Sequence, residues 1–220
     1  MSNTLSKSRL AMALSALDGF NKPKVRQEQY LMDSEIGASM LWTAYLIGDI
    51  KGKLIADLGC GTGVLGIGAL LLEAKCVRFI DLDENALEMA KNNVLKVKSE
   101  GYDLGKAEFV CKNIKDLEMK VDVVIQNPPF GTKVRHNDII FLEKAFETAP
   151  VVYSFHKSEA KHFLEQFSTK KDSKITHIWN FRFPLKATLE FHRRRIYRID
   201  VSCFRFEKQF FLKVKTKIFK

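Results

Sequence analysis

Asp57-Leu58-Gly59-Cys60-Gly61-Thr62-Gly63 stands between a β-rich run, Lys53 to Asp57, and an apolar run of helical character, Val64 to Leu72. Three alternating glycines at a strand-to-helix junction permit a tight turn and let a ligand come close to the main chain. A small adenosine-bearing molecule suits such a loop. A nicotinamide dinucleotide suits it less well. Here the acid precedes the first glycine and the spacing is G-x-G-x-G, whereas dinucleotide sites favour G-x-G-x-x-G and lay pyrophosphate on the helix amino end. The remaining alternative is a turn without a ligand, and the strand-to-helix context weighs against it.

Working outward from this loop, short β-rich runs alternate with helical stretches, the pattern of a parallel sheet covered by helices. Cys76 to Asp81, Ala107 to Cys111, Val121 to Gln126 and Val151 to Ser154 read as further strands; Glu84 to Ser99, Ile139 to Thr148 and Lys157 to Phe167 read as helices. Lys174 to Arg182 and Ile196 to Phe206 look like a closing antiparallel pair. The predicted fold class is α/β: Rossmann-like, mostly parallel, with an antiparallel closing strand. Two helices, about Leu5 to Leu17 and Ser34 to Ile47, precede the sheet and are expected to form a lid or an extra layer over its carboxyl edge. The resulting plan is an N-terminal helical extension (1–50), a core (51–207) and a basic tail (208–220). The tail alternates Leu212, Val214, Thr216 and Ile218 with Lys213, Lys215 and Lys217, which fits either a half-buried strand or an extended basic arm.

With 220 residues, 46% hydrophobic and 28% charged, the chain suits one globular core and is too apolar to be disordered. Its net charge of +10 is concentrated at the carboxyl end, where residues 191–220 hold ten Lys or Arg against Asp200 and Glu207. Such a surface attracts polyanions, so nucleic acid is the favoured partner and an anionic membrane the weaker one; a solvated lysine-rich face is the bland alternative. Cys60, Cys76, Cys111 and Cys203 lie far apart, without metal-site or disulfide spacing, and read as free thiols with no bound metal. The longest apolar run, Val64 to Leu72, is about half the length a membrane-spanning helix needs, so no membrane partner is expected.

The candidate ligand residues follow from the strand ends. Asp81, 18 positions past Gly63, closes the second strand, where a carboxylate can accept hydrogen bonds from both hydroxyls of a ribose. Asp83 is the alternative. Asn113-Ile114 follows the third strand; the Asn113 amide oxygen can accept from an adenine amine, although its residue type equally suits a turn. Asn127-Pro128-Pro129-Phe130 follows the apolar strand Val121 to Gln126, at the carboxyl edge where α/β sites assemble. The two prolines fix their own φ angles and bias Asn127 toward an extended backbone, so that the Asn127 side-chain oxygen and the Pro128 carbonyl can converge. An exocyclic adenine amine is a poor nucleophile because its lone pair is delocalised into the ring. Two convergent acceptors would bind both of its hydrogens and aim the lone pair at a methyl donor. Phe130 would stack on an extruded base. A lone Asn-Pro-Pro is more often just a rigid turn; its place downstream of the glycine loop argues otherwise.

These residues resemble the methyltransferase-like protein 5 family, which methylates N6 of an adenosine in small-subunit ribosomal RNA. The likeness runs from Asp18 to about Phe206. It includes Asp18-Gly19-Phe20-Asn21-Lys22-Pro23-Lys24, Glu28-Gln29-Tyr30, the Asp57 to Gly66 loop, Asp81-Leu82-Asp83-Glu84 and Asn127-Pro128-Pro129-Phe130-Gly131-Thr132-Lys133. Val152-Tyr153-Ser154-Phe155-His156-Lys157-Ser158 and Phe191-His192-Arg193-Arg194-Arg195 belong to it as well. The resemblance implies a class I fold and S-adenosyl-L-methionine as cofactor, with Gln29, Gly59, Gly61, Thr62, Val64 and Asp81 around it. It also implies a small zinc-binding activator protein as heterodimer partner, for which the edge strand Ala107 to Cys111 is the candidate contact. Nuclear, nucleolar and cytoplasmic placement follows from the same likeness. Three features depart from the family. Leu31-Met32 replaces Pro-Thr, leaving Met32 to line the pocket without a hydroxyl; Asn113 stands where Asp is usual; and the tail beyond Phe206 has no counterpart.

Two enzymatic alternatives and one of another class remain at this point. Methylation of a protein glutamine at N5 also uses Asn-Pro-Pro, usually followed by Tyr. DNA adenine methylation fits the tetrapeptide, but no DNA-reading module is recognisable. A catalytically silent RNA-binding subunit would keep the fold, and Met32 and Asn113 lend it weight while the intact tetrapeptide opposes it.

Overall fold

The computed structural model describes residues 5–20, 31–129, 137–185 and 197–209. Gln29, Phe130, the Arg193 to Arg195 cluster and most of the basic tail lie outside the described residues.

Among the described residues seven strands form one sheet: β1 (Leu54–Leu58), β2 (Cys76–Asp81), β3 (Lys106–Cys111), β4 (Val123–Gln126), β5 (Val151–Lys157), β6 (Ser173–Leu185) and β7 (Tyr197–Lys208), in the order β3-β2-β1-β4-β5-β7-β6. The first five pair in parallel, and β7 runs antiparallel to both β5 and β6, so the expected closing antiparallel pair is present. β4 is buried along its whole length, which explains why its sequence is a continuous apolar run rather than an alternating one.

Helices cover both faces. On one side α1 (Lys7–Ser15), α2 (Ser34–Ile47), α3 (Val64–Leu71) and α4 (Glu84–Ser99) bury Leu10, Leu14, Leu41, Leu65 and Val94 with Ile55, Val77, Phe79 and Ile125 of the sheet. On the other, α5 (Asn137–Thr148) and α6 (Lys161–Lys170) bury Leu142, Phe146 and Leu164 with Leu58, Val124, Val152 and Phe204. α1 and α2 therefore form a packed layer against α3, sharing one core with β1 across residue 50. Asp33 caps α2, its side chain accepting from the Glu35 and Ile36 N–H groups, and Gly48 ends it in the left-handed region at φ 94°. The next residue, Asp49, ties α2 to the sheet: Tyr153 Oη donates to Asp49 Oδ2 at 2.6 Å and Arg205 Nε donates to the same oxygen at 2.8 Å.

Two expected boundaries are corrected. β5 continues through Lys157, because Phe155, His156 and Lys157 pair with Cys203, Ser202 and Val201 of β7. A 3-10 turn, Ser158–Ala160, follows, so the sixth helix starts at Lys161 rather than Lys157. Partnership with β7, distant in sequence, overrides the local helical pattern. β6 and β7 also run past β5: the pairs Arg182 with Asp200, Phe183 with Ile199, Pro184 with Arg198 and Leu185 with Tyr197 lie beyond its last paired residue. This two-stranded extension rises at the carboxyl edge of the sheet. All four cysteines are free. No helix of the described residues is long and apolar enough to cross a membrane.

Candidate active site

Strand register puts the sequence-derived site residues in one row. Ile80, Leu58 and Gln126 are neighbours across β2, β1 and β4. The residues that follow them, Asp81, Gly59 and Asn127, therefore leave three adjacent strands side by side. With strands about 4.8 Å apart, Asp81 and Asn127 flank a gap of roughly 10 Å centred on the glycine loop. All three are half-buried, reachable from the carboxyl edge.

The loop is shaped by its glycines. Gly59, Gly61 and Gly63 have φ of 66°, 54° and 87°, a region side chains disfavour. A Cβ on Gly59 would lie 2.8 Å from the Phe141 ring of α5, and one on Gly61 would lie 2.9 Å from the Phe20 ring, so two aromatic rings wall the turn. Gly59 and Cys60 donate their N–H groups to the Ile80 carbonyl, closing the loop onto β2. Thr62 and Val64 are buried, Val64 as the first residue of α3.

Two carboxylates serve the loop. Asp57, 1% exposed, accepts from the Gly66 N–H at 2.8 Å and holds the first turns of α3. Burial pushes its carboxyl up to about 7; the Gly66 N–H works against this and the charge of Asp81 adds to it. Asp81 accepts from Gly61 N–H at 2.9 Å through Oδ2 and from Asp83 N–H at 2.9 Å through Oδ1. Burial pushes Asp81 up as well, opposed by those N–H bonds. Each of its oxygens keeps a further lone pair for a hydroxyl donor. Asp83, the alternative, is instead the N-cap of α4, accepting from Asn85 N–H at 3.2 Å.

Asn127 supplies the acceptor that the sequence pattern requires. Its Oδ1 is buried and has no hydrogen-bond partner among the described residues. A buried carbonyl oxygen without a donor is costly, and active sites are where such costs are retained. Pro128 is buried and Pro129 half-buried beside it.

Two expected cofactor residues have structural duties. Asn113 Oδ1 accepts from Lys115 N–H at 3.0 Å and caps a short 3-10 turn, Ile114–Asp116, as its turn-forming type suggests. Met32 is 6% exposed and packs in the core, with its Cγ 3.4 Å from where a Cβ on Gly37 would stand.

Sequence reading missed Asn93. It lies fully buried on α4, its Oδ1 accepting from Asp18 N–H at 2.9 Å and its Nδ2 donating to the Asp18 and Thr62 carbonyls at 3.0 Å each. Lys96 adds a bond to Asp18 Oδ1 at 3.0 Å. These contacts bind the segment carrying Phe20 to the glycine loop. The only sequence signal is a polar residue on the apolar stripe of α4. Phe141 gives no sequence signal at all.

The residues fit an S-adenosyl group: a glycine turn too tight for side chains, a carboxylate at the end of β2, and an unpartnered acceptor after β4 on the other side of β1. Comparisons with known proteins agree. Residues 34–153 match the model of the methyltransferase small domain. The rRNA N6-adenosine-methyltransferase METTL5 of Danio rerio is 39% identical over 203 residues, covering 90% of this chain and 96% of its own. An uncharacterised protein of Methanocaldococcus jannaschii is 36% identical over 216 residues, covering 93% and 95%. Among solved structures, a candidate RNA methyltransferase of Pyrococcus horikoshii superposes with a TM-score of 0.85 at 41% identity, covering 93% of this chain and 98% of that one.

Proposed function

The chain belongs to the methyltransferase small domain family, in the group that includes the rRNA N6-adenosine-methyltransferases, and we propose that it methylates N6 of an adenosine in small-subunit ribosomal RNA. It is a class I methyltransferase, and S-adenosylmethionine is its methyl donor.

The observation that carries the substrate reading is the unpartnered, buried Oδ1 of Asn127 in the row with Gly59 and Asp81. The bound cofactor supplies an electrophilic methyl group on a sulfonium. The chain's own part is to hold a nucleophile that is weak in water. Asn127 Oδ1 accepts one hydrogen of the adenine amine, and the Pro128 carbonyl is assigned the other. Both acceptors sit on a backbone stiffened by two prolines, so they need little reorganisation as charge develops on nitrogen. Asp81 orients the ribose end of the cofactor, which fixes where its methyl group lies relative to that nitrogen.

RNA as substrate is further supported by the β6–β7 extension, which joins the carboxyl edge to residues 186–196 with Lys186, Arg193, Arg194 and Arg195. Phosphate contacts from such a cluster hold a polyanion without reading its sequence. The zinc-binding activator is assigned to β3, which ends the sheet and carries exposed Lys106 and Cys111 at its termini. An edge strand recruits a partner by main-chain hydrogen bonds. Co-expression is expected to give a one-to-one heterodimer, and recovery of separate monomers would remove the assignment.

The decisive experiment is nucleoside mass spectrometry of ribosomal RNA from cells with and without the protein, followed by mapping. Loss of one N6-methyladenosine from the small subunit is the expected result. An unchanged modification profile would refute the proposal.

A further inference from the structure

Beneath the catalytic corner lies a chain of polar side chains that the methyl transfer itself does not use. Along β5, Val152, Ser154 and His156 share one face by the two-residue period of a strand, the face covered by α5. The apolar lining of that face gives way to polar residues toward the carboxyl edge. Gln126 and Ser154 are fully buried and His156 is 1% exposed. Apolar side chains of equal volume would bury there at lower cost, so the polar set calls for a reason.

Hydrogen bonding gives the chain a direction. Gln126 Nε2 donates to Ser154 Oγ at 2.9 Å. Ser154 Oγ lies 2.7 Å from His156 Nε2, and since it already accepts from Gln126 its own proton is available for that nitrogen. With Nε2 accepting, the ring carries an N–H on Nδ1, which faces Asp138 Oδ2 at 3.6 Å, an electrostatic approach too long for a hydrogen bond that leaves Nδ1 without a hydrogen-bond partner among the described residues. Burial works to raise the Asp138 carboxyl, but His156 and the N–H groups of the first turn of α5 outweigh it and hold the group low. The order Ser, His, Asp is that of a nucleophile relay in hydrolases. Ser154, however, is sealed under α5 and already serves Gln126, so no substrate reaches it.

The two ends of the chain are significant. Gln126 immediately precedes Asn127, and in an extended backbone neighbouring side chains leave on opposite faces, so anchoring Gln126 fixes the roll that aims Asn127. Asp138 is the second residue of α5, the first described helix after the catalytic tetrapeptide. We propose that Gln126, Ser154, His156 and Asp138 form a positioning relay that clamps both flanks of the catalytic loop, with His156 as its central positioning residue. The inference rests on the methyl-transfer reading of Asn127.

The test uses full-length protein with S-adenosylmethionine and its RNA substrate, comparing His156→Phe, His156→Gln, Ser154→Ala and Asp138→Asn. His156→Phe keeps a ring but removes the hydrogen bond to Ser154 and the charge-sensitive approach to Asp138. It is expected to lower kcat by about 10- to 100-fold, the scale of a sub-ångström to 1 Å misplacement. Cofactor affinity should stay within about two-fold, since none of the four relay side chains bonds to the glycine loop among the described residues, and KM for RNA is expected to change as little. His156→Gln, which keeps an acceptor for Ser154, is expected to recover part of the loss. A folded His156→Phe protein with wild-type kcat would overturn the relay. Should that variant fail to fold, Ser154→Ala and Asp138→Asn decide instead: a lowered kcat at unchanged cofactor affinity supports the relay, and wild-type kcat in both overturns it. Asn127→Ala run in parallel separates the two claims, because its full activity would sink the catalytic reading, whatever the relay variants show.

Discussion

Asp57→Asn tests the electrostatics of the cofactor loop directly. The Asp57 carboxyl is held at about 7 by burial, against 3.8 for an exposed acid. The folded protein therefore keeps a proton that the unfolded chain releases some three pH units earlier. Between those values the native state binds more protons, so this group's contribution to stability is full below pH 3.8 and is lost as pH rises toward 7. At about 1.4 kcal/mol per unit, the loss between pH 5 and 7 approaches about 3 kcal/mol. Asparagine imitates the protonated acid: it is neutral, of equal size, and its Oδ1 can still accept from Gly66 N–H. The variant should match the wild type below pH 3.8, lead it by about 2 kcal/mol at pH 5 and by about 4 kcal/mol at pH 8, so that the lead widens by about 3 kcal/mol between pH 5 and 8. Urea denaturation midpoints at four pH values between 5 and 8 measure both curves, with all other titrating groups common to the two proteins. Parallel curves, or a variant less stable at pH 8, would refute the reasoning.

Other outcomes follow from the same geometry. Asn127→Ala should lower turnover by around 10²–10³ while leaving the fold and cofactor binding intact, as measured by methyl incorporation at saturating cofactor. Asn93→Ala removes three hydrogen bonds and strands the Asp18 and Thr62 carbonyls, which should lower unfolding free energy by about 2 kcal/mol. Because it also frees the segment bearing Phe20, calorimetry should show weakened cofactor binding while kcat at saturation is kept. Neutralising Arg193, Arg194 and Arg195 together should weaken RNA binding and flatten its dependence on salt, and an unchanged slope would return that cluster to a solvated face.

The loop from Asp57 to Gly63 was legible because positive φ needs glycine, and the end of β4 at Gln126 because the two prolines after Asn127 cannot donate to a strand ladder. The alternation of strands and helices was legible for a similar reason, since burial periodicity is a local property. What escaped the sequence depends on partners far along the chain. His156 falls between the expected strand and the expected helix, with no role assigned, until β5, β4 and α5 bring Ser154, Gln126 and Asp138 around it. Asn93 stands out only as a polar residue on an apolar stripe, without a partner in view, until Asp18, 75 positions away, folds against it. The end of β5 was misplaced for the same cause, since only β7 makes Phe155 to Lys157 a strand. Asn113 was legible in its simpler sense, as a turn residue.

The place of β7 has a consequence for biosynthesis. Although it is the last of the described strands to be made, it sits between β5 and β6. A nascent chain leaving the ribosome at about 5–20 residues per second therefore exposes the flank of β5 until residues 197–208 emerge. An open flank of that kind invites pairing with other chains. A premature stop between β5 and β7 would thus leave that flank open for good, and wedging in β7 is what closes the described sheet.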